Sequence, residues 1–165
     1  MIFATIGSAE PFDRLLGALD GLAVDEELVV QCGASRARPP GATCVEFMGY
    51  GELVDRIRDA RVVITHAGVG SVLACLTNGK RPVVVPRLAR FREAVDDHQL
   101  EFARRLEQAG LVVLVDDTAE LPAALAVASE PLGRVGGETP LVAELRAYLR
   151  DQIGAGRPAL ATEPR

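Results

Sequence analysis

"VVITHAGVGSVLACLTNGKRPVVVPR", residues 62–87, runs from an unbroken apolar stretch through a glycine-containing turn into a helical pattern, then back to a second apolar stretch. It reads as one strand–helix–strand unit. Strands that show no apolar/polar alternation must be covered on both faces, which is the condition of parallel strands in an α/β sheet. The alternation extends in both directions. Strands are expected at 2–7, 27–33, 43–48, 62–66, 82–87 and 111–116. Helices are expected at 11–22, 51–60, 70–79, 96–110, 121–129 and 140–153. Leu15, Leu16, Leu19 and Leu22 recur at helical spacing in the first of these, as do Leu53, Ile57 and Ala60 in the second. Such alternation predicts a Rossmann-like, doubly wound, right-handed parallel sheet. Residues 33–42 ("GASRARPPGA") read as a loop. One domain is expected over 1–153, with a tail over 154–165 too poor in large apolar side chains to pack and so disordered.

Composition narrows the function classes. At 165 residues the chain is long enough to bury a real core. The net charge of −5, with basic residues scattered apart from short arginine clusters, leaves no footprint for a nucleic acid. Cys32, Cys44 and Cys75 are odd in number and widely spaced, so they read as reduced core thiols of a reducing compartment. No stretch approaches the roughly 18 apolar residues that span a bilayer, and "MIFATIG" enters a strand pattern at once. A soluble, cytoplasmic chain without direct membrane insertion is expected.

Open parallel sheets bind ligands beyond the carboxyl ends of their strands, near the switch in strand order. His66 ends a strand there, Gly68 and Gly70 allow close backbone approach, and Ser71 opens a helix whose free N–H groups favour an anion such as phosphate. Gly7 and Ser8 follow the first strand in the same way. A third strand end carries the Arg-bearing loop 86–99, where Asp96 or Asp97 caps a helix that holds His98 and Gln99 in its first turn. Arg87, Arg90 and Arg92 read as a solvated loop from which Arg87 is the candidate to reach a phosphate. Plainer roles stand beside these: the glycines for a tight turn, His66 as a backbone-bonded structural histidine, His98 as a surface residue near a cap, and Gln31 with Cys32 as core. A nicotinamide-binding domain would carry G-x-G-x-x-G in its first turn, where this chain has only "GSAEPF".

The segments "TIGSAEPFDRLLGAL", "VVQCG", "FMGYGELVDRIRDARVVITHAGVGSVLACLTNGKRPVVVPR" and "DDHQLEFARRLEQAG" resemble the C-terminal, nucleotide-sugar-binding domain of glycosyltransferase family 28 over roughly residues 1 to 130. The likeness extends to the small catalytic, donor-binding subunits of split two-chain members, and half-size bacterial exopolysaccharide enzymes are similar. The resemblance implies a GT-B half-domain that binds a UDP-sugar, UDP-GlcNAc-like, and transfers the sugar with inversion, without metal or cofactor. It implies that His66, Ala67, Gly68, Gly70 and Ser71 meet the diphosphate or ribose, that His98 and Gln99 meet the sugar hydroxyls, and that Gly7 and Ser8 face the cleft. It further implies a membrane-anchored partner subunit carrying the acceptor half, which places the chain at the cytosolic face of the membrane. No residue stands out as the catalytic base, which in two-domain enzymes of this type comes from the other half. One departure concerns nucleotide recognition: Ala74 stands where the family commonly has a glutamate for the ribose hydroxyls. A non-catalytic nucleotide-binding or regulatory subunit is the alternative. Leu141, Leu145, Tyr148 and Leu149 form an apolar stripe on the last expected helix, suited either to that partner or to packing on the sheet.

Overall fold

Six parallel strands lie in the order β3-β2-β1-β4-β5-β6, so that β1 has the chain's second strand on one side and its fourth on the other. The computed structural model describes residues 1–22 and 24–128. The strands are β1 (Ile2–Thr5), β2 (Leu28–Gln31), β3 (Thr43–Val45), β4 (Val62–Thr65), β5 (Val83–Val84) and β6 (Val113–Leu114). The helices are α1 (Asp13–Asp20), α2 (Tyr50–Asp59), α3 (Val69–Thr77), α4 (His98–Gln108) and α5 (Leu121–Val127). This is the α/β parallel sheet that the sequence predicts. The expected helix over 140–153, its apolar stripe and the tail over 154–165 lie outside the described residues.

Every expected strand is present, and every one is shorter than its apolar run. The reason is that apolar runs record burial, whereas strand assignment records ladder hydrogen bonds. Ile6, Val85 and Val115 are fully buried just beyond the last paired residues of their strands. At the edge, β3 pairs with β2 alone, and the chain leaves the sheet after Val45 to enter α2. The loop over 33–42 is present as expected.

Successive residues of β1 face opposite sides of the sheet, and each side has its own core. Ile2, Ala4 and Ile6 pack in one cluster with Leu15, Leu16 and Leu19 of α1 and Leu121 and Leu125 of α5. Phe3, Val29 and Val63 pack in the other with Ile57 of α2 and Ala74 and Cys75 of α3. The amphipathic spacing of α1 and α2 therefore does what it implies: it seals the two faces. All three cysteines are free, Cys32 and Cys75 buried and Cys44 half-buried at the sheet edge. Burial pushes the Cys32 and Cys75 thiols up to about 12, so both stay protonated and inert near neutral pH. No described helix is long and apolar enough to cross a membrane.

Phe3 is fully buried at the centre of the second cluster. Phe3→Ala should lower unfolding free energy by about 3–5 kcal/mol, read from urea denaturation as a lower midpoint at unchanged slope.

Candidate functional site

The strand order reverses between β1 and β4, and Thr5 stands level with Thr65 in the register that joins them. The two chains therefore leave the sheet side by side, one into the β1–α1 loop and the other into the β4–α3 turn. Between them and the start of α4 opens a cavity of about 460 Å³, within the range of small-molecule sites.

Gly7, Ser8 and Glu10 of the β1–α1 loop form one wall of the cavity. His66, Gly68, Gly70 and Ser71 form its floor. Arg87, Glu93, Val95, His98 and Gln99 come from the segment between β5 and α4. The ten residues singled out from sequence thus converge, except for Ala67, which is buried below the turn and does not line the cavity.

The glycines divide between two physical roles. A Cβ on Gly68 would lie 2.2 Å from Nε2 of His66, so this residue is glycine to make room for the imidazole. Gly7 has φ +79, in the left-handed region, and a Cβ there would come within 3.1 Å of the same ring. The His66 ring is therefore held between the two loops. Gly70 differs, because a Cβ there would meet nothing within 4 Å. Its bare face is turned to the cavity. α3 begins at Val69, two residues before Ser71, so Gly70 and Ser71 belong to its first turn rather than preceding it. Gly68 is the N-cap and no side chain caps the helix. The N–H groups of that turn lie outside the helical ladder and the positive end of the dipole faces the site.

Desolvation pushes the His66 imidazole down to about 4, with the nearby Arg87 guanidinium acting in the same direction and the Thr5 backbone carbonyl opposing both. His66 is neutral at physiological pH. Arg87 differs from the expectation of a solvated loop. It is 4% exposed, its guanidinium donates to the carbonyls of Ile6 (2.8 Å), Glu10 (2.9 Å) and Pro11, and it lies 4.6 Å over the Phe12 ring. Arg90 and Arg92 are exposed, as a solvated loop requires.

At the third strand end, Gln99 Oε1 accepts the N–H of Arg87 at 3.1 Å, which commits the amide oxygen and leaves its NH2 as donor to the cavity. Asp97 is the N-cap of α4 but its side chain accepts from the N–H of Ala89 rather than capping the helix, while Asp96, one residue earlier, accepts the His98 N–H at 3.1 Å and contacts Nδ1 of the same residue. These contacts hold the Asp96 carboxyl below its ordinary range. Gln31, read as core, is buried, where it accepts a 2.7 Å hydrogen bond from Thr5 below the Gly7 loop.

Sequence reasoning missed Glu93, whose carboxylate is bonded to Arg14 and to the N–H of Leu88. The arginines beside it in sequence give no sign of this pairing, because its partner Arg14 stands 79 residues earlier. It also missed Ser35, buried in the 33–42 loop, which accepts the Phe12 N–H at 2.6 Å. Nothing in the local sequence marks it. Among the described residues no group of three or more His, Cys, Asp or Glu could hold a metal ion. Ala74 is buried in the α2–α3 cluster and offers the site no polar group.

Residues 13–131 match the family model described as the glycosyltransferase family 28 C-terminal domain. The chain is 34% identical over 125 residues to the "UDP-N-acetylglucosamine transferase subunit ALG13" of Eremothecium gossypii, an alignment covering 73% of this chain and 59% of that protein. It is 33% identical over 112 residues to the "UDP-N-acetylglucosamine--N-acetylmuramyl-(pentapeptide) pyrophosphoryl-undecaprenol N-acetylglucosamine transferase" of Rhodospirillum rubrum, covering 68% of this chain and 26% of that protein. The chain thus spans only part of the length of these relatives. Among solved structures it is similar in fold to the calicheamicin glycosyltransferase CalG4, with a TM-score of 0.55 at 18% identity over 97% of this chain and 39% of that one.

A histidine buried neutral makes stability depend on pH in a defined direction. Its folded pKa of about 4 lies below the ordinary 6.5, so the unfolded chain binds the extra proton. Stability from this residue is complete above about pH 6.5 and falls as pH drops toward 4. Relative to a His66→Gln variant, the wild type should lose about 2 kcal/mol more between about pH 7 and about pH 5, measured by urea denaturation. Parallel losses in the two proteins would show that His66 is not held neutral.

Proposed function

The chain belongs to the glycosyltransferase family 28 C-terminal domain family, and from that membership we propose that it is the donor-binding subunit of an inverting, metal-independent glycosyltransferase that uses a UDP-sugar, UDP-GlcNAc-like. One observation carries the reading: the switch-point cavity has an uncapped helix N-terminus on its floor and hydrogen-bonding side chains on the facing wall. A diphosphate suits the first, because oriented N–H groups bind an anion and stabilise charge that develops on a departing phosphate. Sugar hydroxyls suit the second, because the Gln99 amide donates and the His98 ring can donate or accept.

The transfer itself needs a base on the face of the sugar opposite the departing UDP. Of the acid–base side chains that line the cavity, His66 is neutral but held between two loops, Glu93 is bonded to Arg14 and His98 contacts Asp96, while Glu10 lies on the Gly7–Ser8 wall. We assign the base and the acceptor-binding wall to a membrane-anchored partner subunit that brings this chain to the cytosolic face of the membrane. The names of these relatives, a transferase subunit and a pyrophosphoryl-undecaprenol transferase, support a subunit role and a lipid-diphosphate acceptor class. The acceptor here is accordingly a lipid-linked or polysaccharide-precursor sugar. A regulatory, non-catalytic role is favoured by one observation only, the apolar Ala74 on α3.

The reading has direct tests. Titration calorimetry should show binding of UDP and UDP-GlcNAc, and absence of both would overturn it. Gly70→Val, whose side chain enters open space and so leaves the fold intact, should weaken UDP binding by about 1–3 kcal/mol. His98→Ala or Gln99→Ala should weaken UDP-GlcNAc far more than UDP. Co-expressed with an anchored acceptor subunit, the chain should sediment with membranes and turn over donor. Donor binding without turnover in that complex would assign the regulatory role instead.

A further inference from the structure

Two segments far apart in sequence form the opposing walls of the cavity: the β1–α1 loop with Gly7 and Ser8, and the β5–α4 segment that leads to Gln99. Two arginines clasp them in opposite directions. From the second segment, Arg87 reaches the carbonyls of Ile6, Glu10 and Pro11. From the start of α1, Arg14 reaches back to the Pro86 carbonyl at 2.7 Å and forks onto Glu93 at 2.8 and 2.9 Å. Both guanidinium groups lie over the Phe12 ring, 4.6 Å from its centre for Arg87 and 5.2 Å for Arg14. The alternation continues outward: Arg14 and Arg90 each stand 4.8 Å from the Phe91 ring. These pairwise contacts link five side chains, cation and ring in turn, from the buried Arg87 to the exposed Arg90.

We propose that Arg87 is a positioning residue of the donor site, fixing the Gly7–Ser8 loop against the start of α4 through its three carbonyl bonds, with the stacked Phe12, Arg14 and Phe91 as the brace. The assignment rests on the proposed donor site and adds to it a residue that acts on the ligand through others. Its head group is committed to backbone acceptors, which is a different role from the phosphate contact expected of it. Its own N–H is held by Gln99 Oε1, so the same residue orients the amide on one wall and the loop on the other. A guanidinium is needed for this. Its planar fork reaches several carbonyls and lies flat on a ring, whereas an ammonium keeps the charge and loses the geometry.

The experiment uses Arg87→Lys in the full chain, with Arg14→Lys as the outer, partly exposed counterpart. Hydrogen exchange over residues 6–12 should accelerate by about tenfold or more in Arg87→Lys while exchange in β4 stays unchanged, because hydrogen bonds to a charged donor are lost only in the loop. Arg14→Lys should accelerate the same segment by a smaller factor. UDP-GlcNAc affinity should fall by about tenfold or more and UDP affinity by less. Gln99→Ala should cost less in the Arg87→Lys background than in wild type, since the amide has already lost its alignment. Unchanged exchange over 6–12 in folded Arg87→Lys overturns the brace. So does unchanged exchange in Arg14→Lys should the first variant fail to fold. Equal losses for both ligands, additive with Gln99→Ala, assign Arg87 to stability alone and overturn the positioning role. A wild-type chain that binds neither ligand overturns the donor-site reading, and the exchange arm still decides the brace.

Discussion

The parallel pairing of β1 with β4 is the constraint from which the site follows. Because β2 occupies the other edge of β1, the chain must cross over the sheet to place its fourth strand, and the loops leaving β1 and β4 part company at that point. Level register at Thr5 and Thr65 brings the loop at Gly7 alongside the His66 ring. A one-residue slip would turn the side chains of β4 to the opposite face and withdraw His66 from the gap. The two apolar clusters hold that register by requiring Ile64 on one side and Val63 on the other.

Space and charge in the gap depend on each other. Gly68 and Gly7 give up their side chains so that one imidazole can stand between the loops. The imidazole is neutral because water is largely excluded and because Arg87 supplies positive charge nearby. That guanidinium is buried too, and burial works against its charge while Glu93 and Glu10 favour it. Three backbone carbonyls and an aromatic face replace the water it has lost, which is the condition for keeping a cation inside a protein.

Much of this was legible in the chain. Unbroken valine and isoleucine runs identify parallel strands, and the spacing of Leu15, Leu16 and Leu19 identifies the buried face of α1. The positions of Gly7, His66, Gly68, Gly70, His98 and Gln99 follow once strand ends are located, since parallel strands bring all their carboxyl ends to one edge. Less legible was what a side chain does after it arrives there. Arg87 lies in an arginine-rich stretch that looks solvated, and only the fold reveals three carbonyls within its reach, belonging to residues 76 to 81 positions earlier. Ala67 sits among site residues in sequence but is buried and does not line the cavity, because consecutive residues leaving a strand cannot all face the same side. Ser35 and Glu93 were missed for the same reason: their partners are remote in sequence.

The charges around the cavity are largely spent within the protein. Arg87 is bonded to backbone, Glu93 to Arg14 and Leu88, and Asp96 to His98. The cavity's other polar lining is mostly neutral and directional: the first turn of α3 with its unbonded N–H groups, Gln99, Ser8 and Ser71. Oriented dipoles of this kind bind an anion without a free cation to attract others, so shape and hydrogen-bond geometry discriminate between ligands more than net charge does. Discrimination by geometry is only as good as the rigidity of the walls. In this chain the walls are loops, and the buried arginine with its stacked rings supplies the stiffness that loops lack.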